Sequence, residues 1–298
     1  MKNKDWVLFW LVGLIWGTSF LWIKIAVDYV SPIMLVAFRT LFGSLGLGLI
    51  VALNKQARVS WIIIRKRLFD FFLLGMFNIA LPWMLISWAG QFIDSGTSAI
   101  LNGTMPLFTI LLSPIFIKDD RITLPKLGGL MVGFIGVVIL MTPSIQGRWS
   151  KDLLGQAAVI LATLSYASAT VFARKKSGEL PAQMQAFLQL SAATIIIWVI
   201  ALFTEKPIIF PQLPITWFAL LWLGLLGSCI AYIIYFSLLH KIGPTRMSMV
   251  TYIPPLIGLI LGVVFLKEQF YWQSLLGALL ILSGIAIVNL RQEVMQKA

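Results

Sequence analysis

Residues 95–117 read SGTSAILNGTMPLFTILLSPIFI and residues 243–265 read GPTRMSMVTYIPPLIGLILGVVF, so that Thr97 and Pro106 of the first stretch fall on Thr245 and Pro254 of the second. The same ungapped offset of 148 places Asp120 on Glu268, Gly129 on Gly277 and Gly136 on Gly284. Polar and helix-shaping residues agreeing across one register mark an internal duplication. Each copy holds five hydrophobic spans, and an odd number forces the second copy to enter the membrane in the opposite sense.

Composition sets the solvent in which this duplication folds. The 298 residues are 59% hydrophobic and 11% charged, with a mean hydropathy of +0.94, which excludes a soluble domain. A span needs roughly 20 predominantly apolar residues. Such stretches occur at 6–27, 32–53, 71–93, 95–117, 127–147, 153–173, 180–204, 214–238, 247–266 and 269–290. The expected fold class is an all-α polytopic membrane protein whose ten transmembrane helices form two inverted five-helix repeats, 1–145 and 150–291. Pro143 and Gly147 mark the linker between them.

The net charge of +12 resembles a nucleic-acid signal until it is placed on the loops. With the N-terminus inside, the inner segments carry most of the basic residues, including Arg65, Lys66, Arg67, Arg174, Lys175 and Lys176. The outer loops carry only Arg148, Lys151, Lys206 and Lys267. This bias predicts a membrane protein with both termini cytoplasmic. The positive charge then meets anionic membrane lipids, and no nucleic-acid partner is implied. The segment Asn54 to Arg67, with Trp61 beside three isoleucines, suits the inner leaflet. The single cysteine, Cys229, lies within the eighth span, so no intrachain disulfide is expected, and no ligand cluster calls for a metal or cofactor.

Two cations interrupt spans. A charge there costs about 2.5–3.5 kcal/mol on insertion scales and needs a partner or a function. Lys24 lies near the outer boundary and either snorkels to water or acts as an intramembrane charge. Arg39 sits two turns into the second helix, and either ties helix-end carbonyls and loop groups together or serves as a gate or anion contact. All eleven carboxylates fall in loops or at span ends, which disfavours coupling through a mid-membrane acid. His240 stands at the inner end of the eighth helix beside Lys241, where an interface role outweighs proton shuttling.

Aromatic and polar groups share helix faces. The first helix of each copy aligns at an offset of 150, with Trp16 on Tyr166 and Lys24 on Arg174. Trp83, Ser87 and Gln91 form one row of the third span, and Tyr232 and Tyr235 occupy its repeat partner. Asn102 stands one turn before Pro106, and Tyr252 just before Pro254; both prolines are read as bending their helices near mid-membrane. Together these residues would line an aromatic-walled substrate pathway suited to amphipathic solutes. Interfacial belts and interhelical bonds are the alternatives for the aromatics and for Ser87 and Asn102 respectively. Asn78, off the Trp83 face, is read as packing.

The chain resembles the drug/metabolite transporter superfamily and, within it, the EamA-type carriers. The resemblance rests on Trp16-Gly17-Thr18-Ser19-Phe20 leading to Lys24, Pro32 leading to Arg39, Gly243-Pro244-Thr245 leading to Pro254, and Lys267-Glu268 leading to Gly277 and Gly284. Asp119-Asp120 departs from the more usual Gly-Glu of the first repeat. The resemblance implies a ten-span inner-membrane carrier that exports small metabolites such as amino acids by alternating access between the repeats. Lipid or nucleotide-sugar transport in the same superfamily is the alternative. An intramembrane enzyme is disfavoured, since neither metal-ligand clusters nor a mid-span carboxylate pair is present. The expected partners are a small-molecule substrate and membrane lipids, with the chain a monomer or weak homodimer.

Overall fold

The computed structural model describes residues 3–54, 57, 59–116, 123–146, 151–176, 180–242, 247 and 249–297. Ten long helices, several built from consecutive helical segments, hold most of the described residues. In chain order they are α1 (Asn3–Val27), α2 (Pro32–Leu53), α3 (Leu68–Ala89), α4 (Ser95–Phe116), α5 (Leu124–Gln146), α6 (Lys151–Lys176), α7 (Ala182–Thr204), α8 (from Pro214–Leu221 through Ala231–Ile242), α9 (Ile253–Phe265) and α10 (Trp272–Lys297). The first eight each contain a stretch long and apolar enough to cross a membrane, and α9 and α10 contain shorter apolar stretches. A short helix, Trp61–Lys66, joins α2 to α3 and leaves Trp61, Ile62 and Ile63 exposed, as a segment lying along a membrane surface requires.

Local chemistry starts the helices. Ser31 is extended and its Oγ accepts from the Met34 backbone N–H at 3.2 Å, while Pro32 occupies the first turn of α2 without wasting a donor. The third span ends at Ala89, four residues before the boundary expected from hydropathy, because the chain turns at Gly90–Ile93. Apolar character continues through that turn, so hydropathy cannot see it.

The packing obeys the duplication. α1 packs on α9 and α8 as α6 packs on α4 and α3, and α2 meets α8 as α7 meets α3. The pairs α2–α7, α4–α9 and α5–α10 are each formed by equivalent helices of the two repeats. On α5–α10 the symmetry reaches single residues. A Cβ built on Gly136 would lie 2.8 Å from the Gly277 carbonyl, and one on Gly284 would lie 2.5 Å from the Gly129 carbonyl. These two contacts are the same contact seen from either repeat. Lipid tails are as apolar as leucine, so such helices associate through close backbone approach rather than hydrophobic burial.

The prolines act differently from the expectation. Pro106 follows a break at Gly103–Thr104 and opens the second half of α4, because it has no N–H to offer the Asn102 carbonyl. Pro254 stands in the first turn of α9, after a 3₁₀ turn at Met249–Tyr252. Both prolines therefore begin helical segments and neither kinks a continuous span.

Candidate functional site

The third helix of each repeat widens into π-helical turns at matching places, Met76–Ala80 in α3 and Trp222–Ile230 in α8. The offset of 148 carries the first stretch into the second. A π turn frees backbone carbonyls from the regular ladder, and such turns are frequent at functional sites. Here the freed carbonyls take donors from the first helix of the opposite repeat. Trp16 Nε1 donates to Gly227 O at 3.1 Å, and Ser165 Oγ donates to Phe77 O at 2.6 Å. The widened turn of α8 also carries Ser228, whose Oγ donates to Leu223 O at 2.8 Å.

Arg39 reaches this turn from α2. Its Nε donates to Ser228 Oγ at 3.2 Å, and its Cζ lies 3.7 Å from the centroid of the Trp83 ring. Arg39 and Trp83 are 7% and 4% exposed, so the cation–π contact is sheltered from water, where it is strongest. The close approach of α2 and α8 makes the reach feasible: a Cβ on Gly43 would lie 3.2 Å from the Gly224 carbonyl. Among the described residues the guanidinium is thus held by side chains of two spans, Ser228 and Trp83.

Aromatic rings continue outward from this centre. Tyr166 of α6 and Tyr232 of α8 stand within electrostatic reach of the guanidinium, and Tyr166 lies beside Trp83. The Trp16 ring lies 6.0 Å from Tyr232 and 5.4 Å from Tyr235. Helices α1, α2, α3, α6 and α8 therefore converge on one cluster drawn from both repeats, comprising Arg39, Trp83, Tyr166, Tyr232, Tyr235 and Trp16.

The other sequence candidates fall elsewhere. Ser87, one turn beyond Trp83, is fully buried, and its Oγ has no hydrogen-bond partner; Ser98 Oγ and Asn102 Oδ1 share that condition on α4. Tyr252 packs on a separate apolar cluster that includes Ile100, Leu107 and Ile281. Asn78 donates to Gln189 Oε1 at 3.0 Å and ties α3 to α7. Asp119, Asp120 and the side chains of Arg174 and His240 lie outside the described residues.

Lys24 turns its ammonium group to backbone carbonyls. Its Nζ donates to Gly90 O and Ile93 O, both at 2.9 Å, and so satisfies carbonyls at the end of α3, where a cation complements the helix dipole. Beside it lies a group that sequence reasoning treated only as a loop acid. Glu268 accepts from Ser95 N at 2.7 Å, from Ser95 Oγ at 3.0 Å and from Gly96 N at 3.2 Å, capping the first turn of α4 from the opposite repeat. Lys267 adopts a left-handed φ of 57°, which turns the chain back, and Gly262 has no side chain in the space that the Glu268 carboxylate fills. Burial and the neighbouring Glu268 raise the Asp94 carboxyl above its ordinary 3.8, and Lys24 opposes that shift. Glycine six residues before an acid at a helix end, facing a Ser-Gly helix start in the other repeat, was the available signal.

Known proteins show the same frame. The chain is 26% identical to an uncharacterized transporter of Archaeoglobus fulgidus over 96% of its length and 98% of the relative's. It is 26% identical to the uncharacterized transporter YoaV of Bacillus subtilis over 92% of each, and 28% identical to protein PecM of Dickeya dadantii over 97% of this chain and 93% of that one. A solved crystal structure, 18% identical, superposes with a TM-score of 0.68 over 99% of both chains and shares the fold. The EamA-like transporter family matches residues 5–142 and again 153–290, the two five-helix repeats whose first, second, third, sixth and eighth helices meet around Arg39. By that double match this integral multi-pass membrane protein belongs to the EamA-like transporter family, within the drug/metabolite transporter superfamily.

Proposed function

We propose that this chain is a secondary carrier that exports small metabolites such as amino acids across the inner membrane, with both termini cytoplasmic. The observation that carries the reading is the Arg39 centre: a guanidinium two turns inside a span, under Trp83 and beside Tyr166 and Tyr232, where side chains of both repeats meet. Intramembrane charge of this kind marks a substrate pathway by default. The positive-inside bias supplies the orientation, and the relatives' names support transport.

Alternating access needs a seal at one side of the centre and a way to release it. In this conformation the seal lies on the side opposite the termini, where Glu268 clamps α4 to α9 and Lys24 ties α1 to the end of α3. Both halves of α4 pack on α6, and the first half also packs on α9, a contact that the second half, Met105–Phe116, does not share to the same extent. The break at Gly103–Thr104 separates these halves and offers a hinge. The chain works on a small-molecule substrate as a monomer or weak homodimer in lipid.

The test is efflux of a mixed pool of amino acids and small metabolites from proteoliposomes, read by mass spectrometry against protein-free vesicles. Selective loss of particular solutes is expected. Equal retention of every solute would sink the metabolite-carrier reading and favour lipid or nucleotide-sugar cargo.

A further inference from the structure

Arg39 spends its Nε–H on Ser228 and one face of its guanidinium on Trp83. Among the described residues, no hydrogen bond or ion pair satisfies Nη1 or Nη2, and the acids of the sequence stand in loops and at helix ends. A charge so placed is costly unless something neutralises it. With Cζ 3.7 Å over the indole, the ring covers the guanidinium without offering its N–H groups an acceptor. The Nη1–Nη2 edge is then a fork that matches the two oxygens of a carboxylate. Nη2 lies close to Gly227, where a Cβ would stand 3.9 Å from it, so the α8 backbone narrows that side and Gly227 offers no acceptor side chain.

The surroundings select what carries the carboxylate. Trp16, Tyr232 and Tyr235 present flat, largely apolar surfaces near the fork, and no described carboxylate stands there to receive an ammonium group. We infer that the central site binds a small organic monoanion, a carboxylate on a flat or branched apolar body, with Arg39 gripping the carboxylate and Ser228 holding the guanidinium in register. This rests on the transport reading and narrows its cargo. A neutral amide leaves the guanidinium uncompensated and an amine adds a second positive charge, so both are rejected. Inorganic phosphate shares the fork chemistry but has no body for the aromatic walls.

Calorimetric titration of the full chain in detergent micelles tests this with matched probes: benzoate, benzamide and benzylamine; isovalerate, isovaleramide and isoamylamine; and inorganic phosphate. At least one acid should bind ten-fold or more tightly than its own amide and amine and more tightly than phosphate. Arg39→Gln should abolish that preference and Arg39→Lys should keep a weaker form of it. The proposal is overturned if amide or amine binds as well as the acid, if the preference survives Arg39→Gln, if phosphate binds most tightly, or if folded protein binds none of the probes. Any of these alongside selective efflux from proteoliposomes removes the cargo class alone, whereas uniform retention of every solute removes the carrier reading.

Discussion

Glu268 and Ser95 belong to different repeats and meet through two hydrogen bonds, one to the Ser95 backbone at 2.7 Å and one to its hydroxyl at 3.0 Å. A single carboxylate thus serves as the N-terminal cap of α4 and as the tether between α4 and α9. A negative charge at a helix N-terminus contributes about 0.3–1 kcal/mol when exposed and up to ~2 when partly buried. A carrier can break a bond of that strength in each cycle.

Glu268→Gln keeps the shape, removes the charge and should loosen the seal. A cysteine placed at Thr97 in a Cys229→Ala background should react several-fold faster with an impermeant maleimide in the variant than with Glu268 intact. Equal rates would show that the clamp does not hold this side shut.

The turn that delivers Glu268 can be tested by stability alone. Gly262→Ala sets a methyl group where the carboxylate lies, and should cost about 1–3 kcal/mol as overpacking does. Lys267→Gly removes the strain of a left-handed φ of 57° and should recover roughly 1 kcal/mol. Thermal unfolding in detergent should therefore shift in opposite directions for these neighbours, and a shift in the same direction would contradict the turn geometry.

Asp94 predicts a pH dependence. Its folded carboxyl titrates above the 3.8 of the unfolded chain, so between those values the folded state binds more protons and stability falls as the pH rises through the window. Asp94→Asn should flatten that slope and raise the unfolding temperature above the window. An unchanged pH profile in the variant would refute the role of Asp94.

On α5–α10, Gly136→Ala and Gly284→Ala each place a methyl group against a backbone carbonyl of the facing helix and should lower the unfolding temperature. Gly128→Ala, on the same helix but with open space around it, is the control and should not lower it, since alanine favours the helix.

Ser228→Ala strips the acceptor from Arg39 Nε and should cost about 1–3 kcal/mol, the penalty for a buried donor left without a partner. Ser228→Thr, which keeps the hydroxyl, should unfold closer to the wild type. If both variants unfold at the wild-type temperature, the bond contributes nothing to stability.

Much of the frame was legible along the chain. Crossing hydrocarbon demands about twenty apolar residues in sequence, so the spans could be counted, and duplication leaves an offset, so Gly129, Gly136, Gly277 and Gly284 could be paired before any contact was seen. Charge bias gave an expected orientation for the same reason, since loops are contiguous in sequence. Arg39 also stood out, because a cation inside an apolar run is visible without a fold.

What Arg39 touches was not legible. Ser228 and Trp83 lie 189 and 44 residues away, and neither carries a pattern that names a guanidinium as partner. Lys24 could be placed near a boundary, yet only the turn at Gly90–Ile93 decides which carbonyls receive it. Tertiary structure also decided the π turns of α3 and α8, the break before Pro106 and the reach of Glu268 into the other repeat. The physical reason is common to all of them. Hydropathy and repeat offset are properties of the chain read in order, whereas a polar group inside a membrane takes its partner from whichever helix the inverted packing sets beside it.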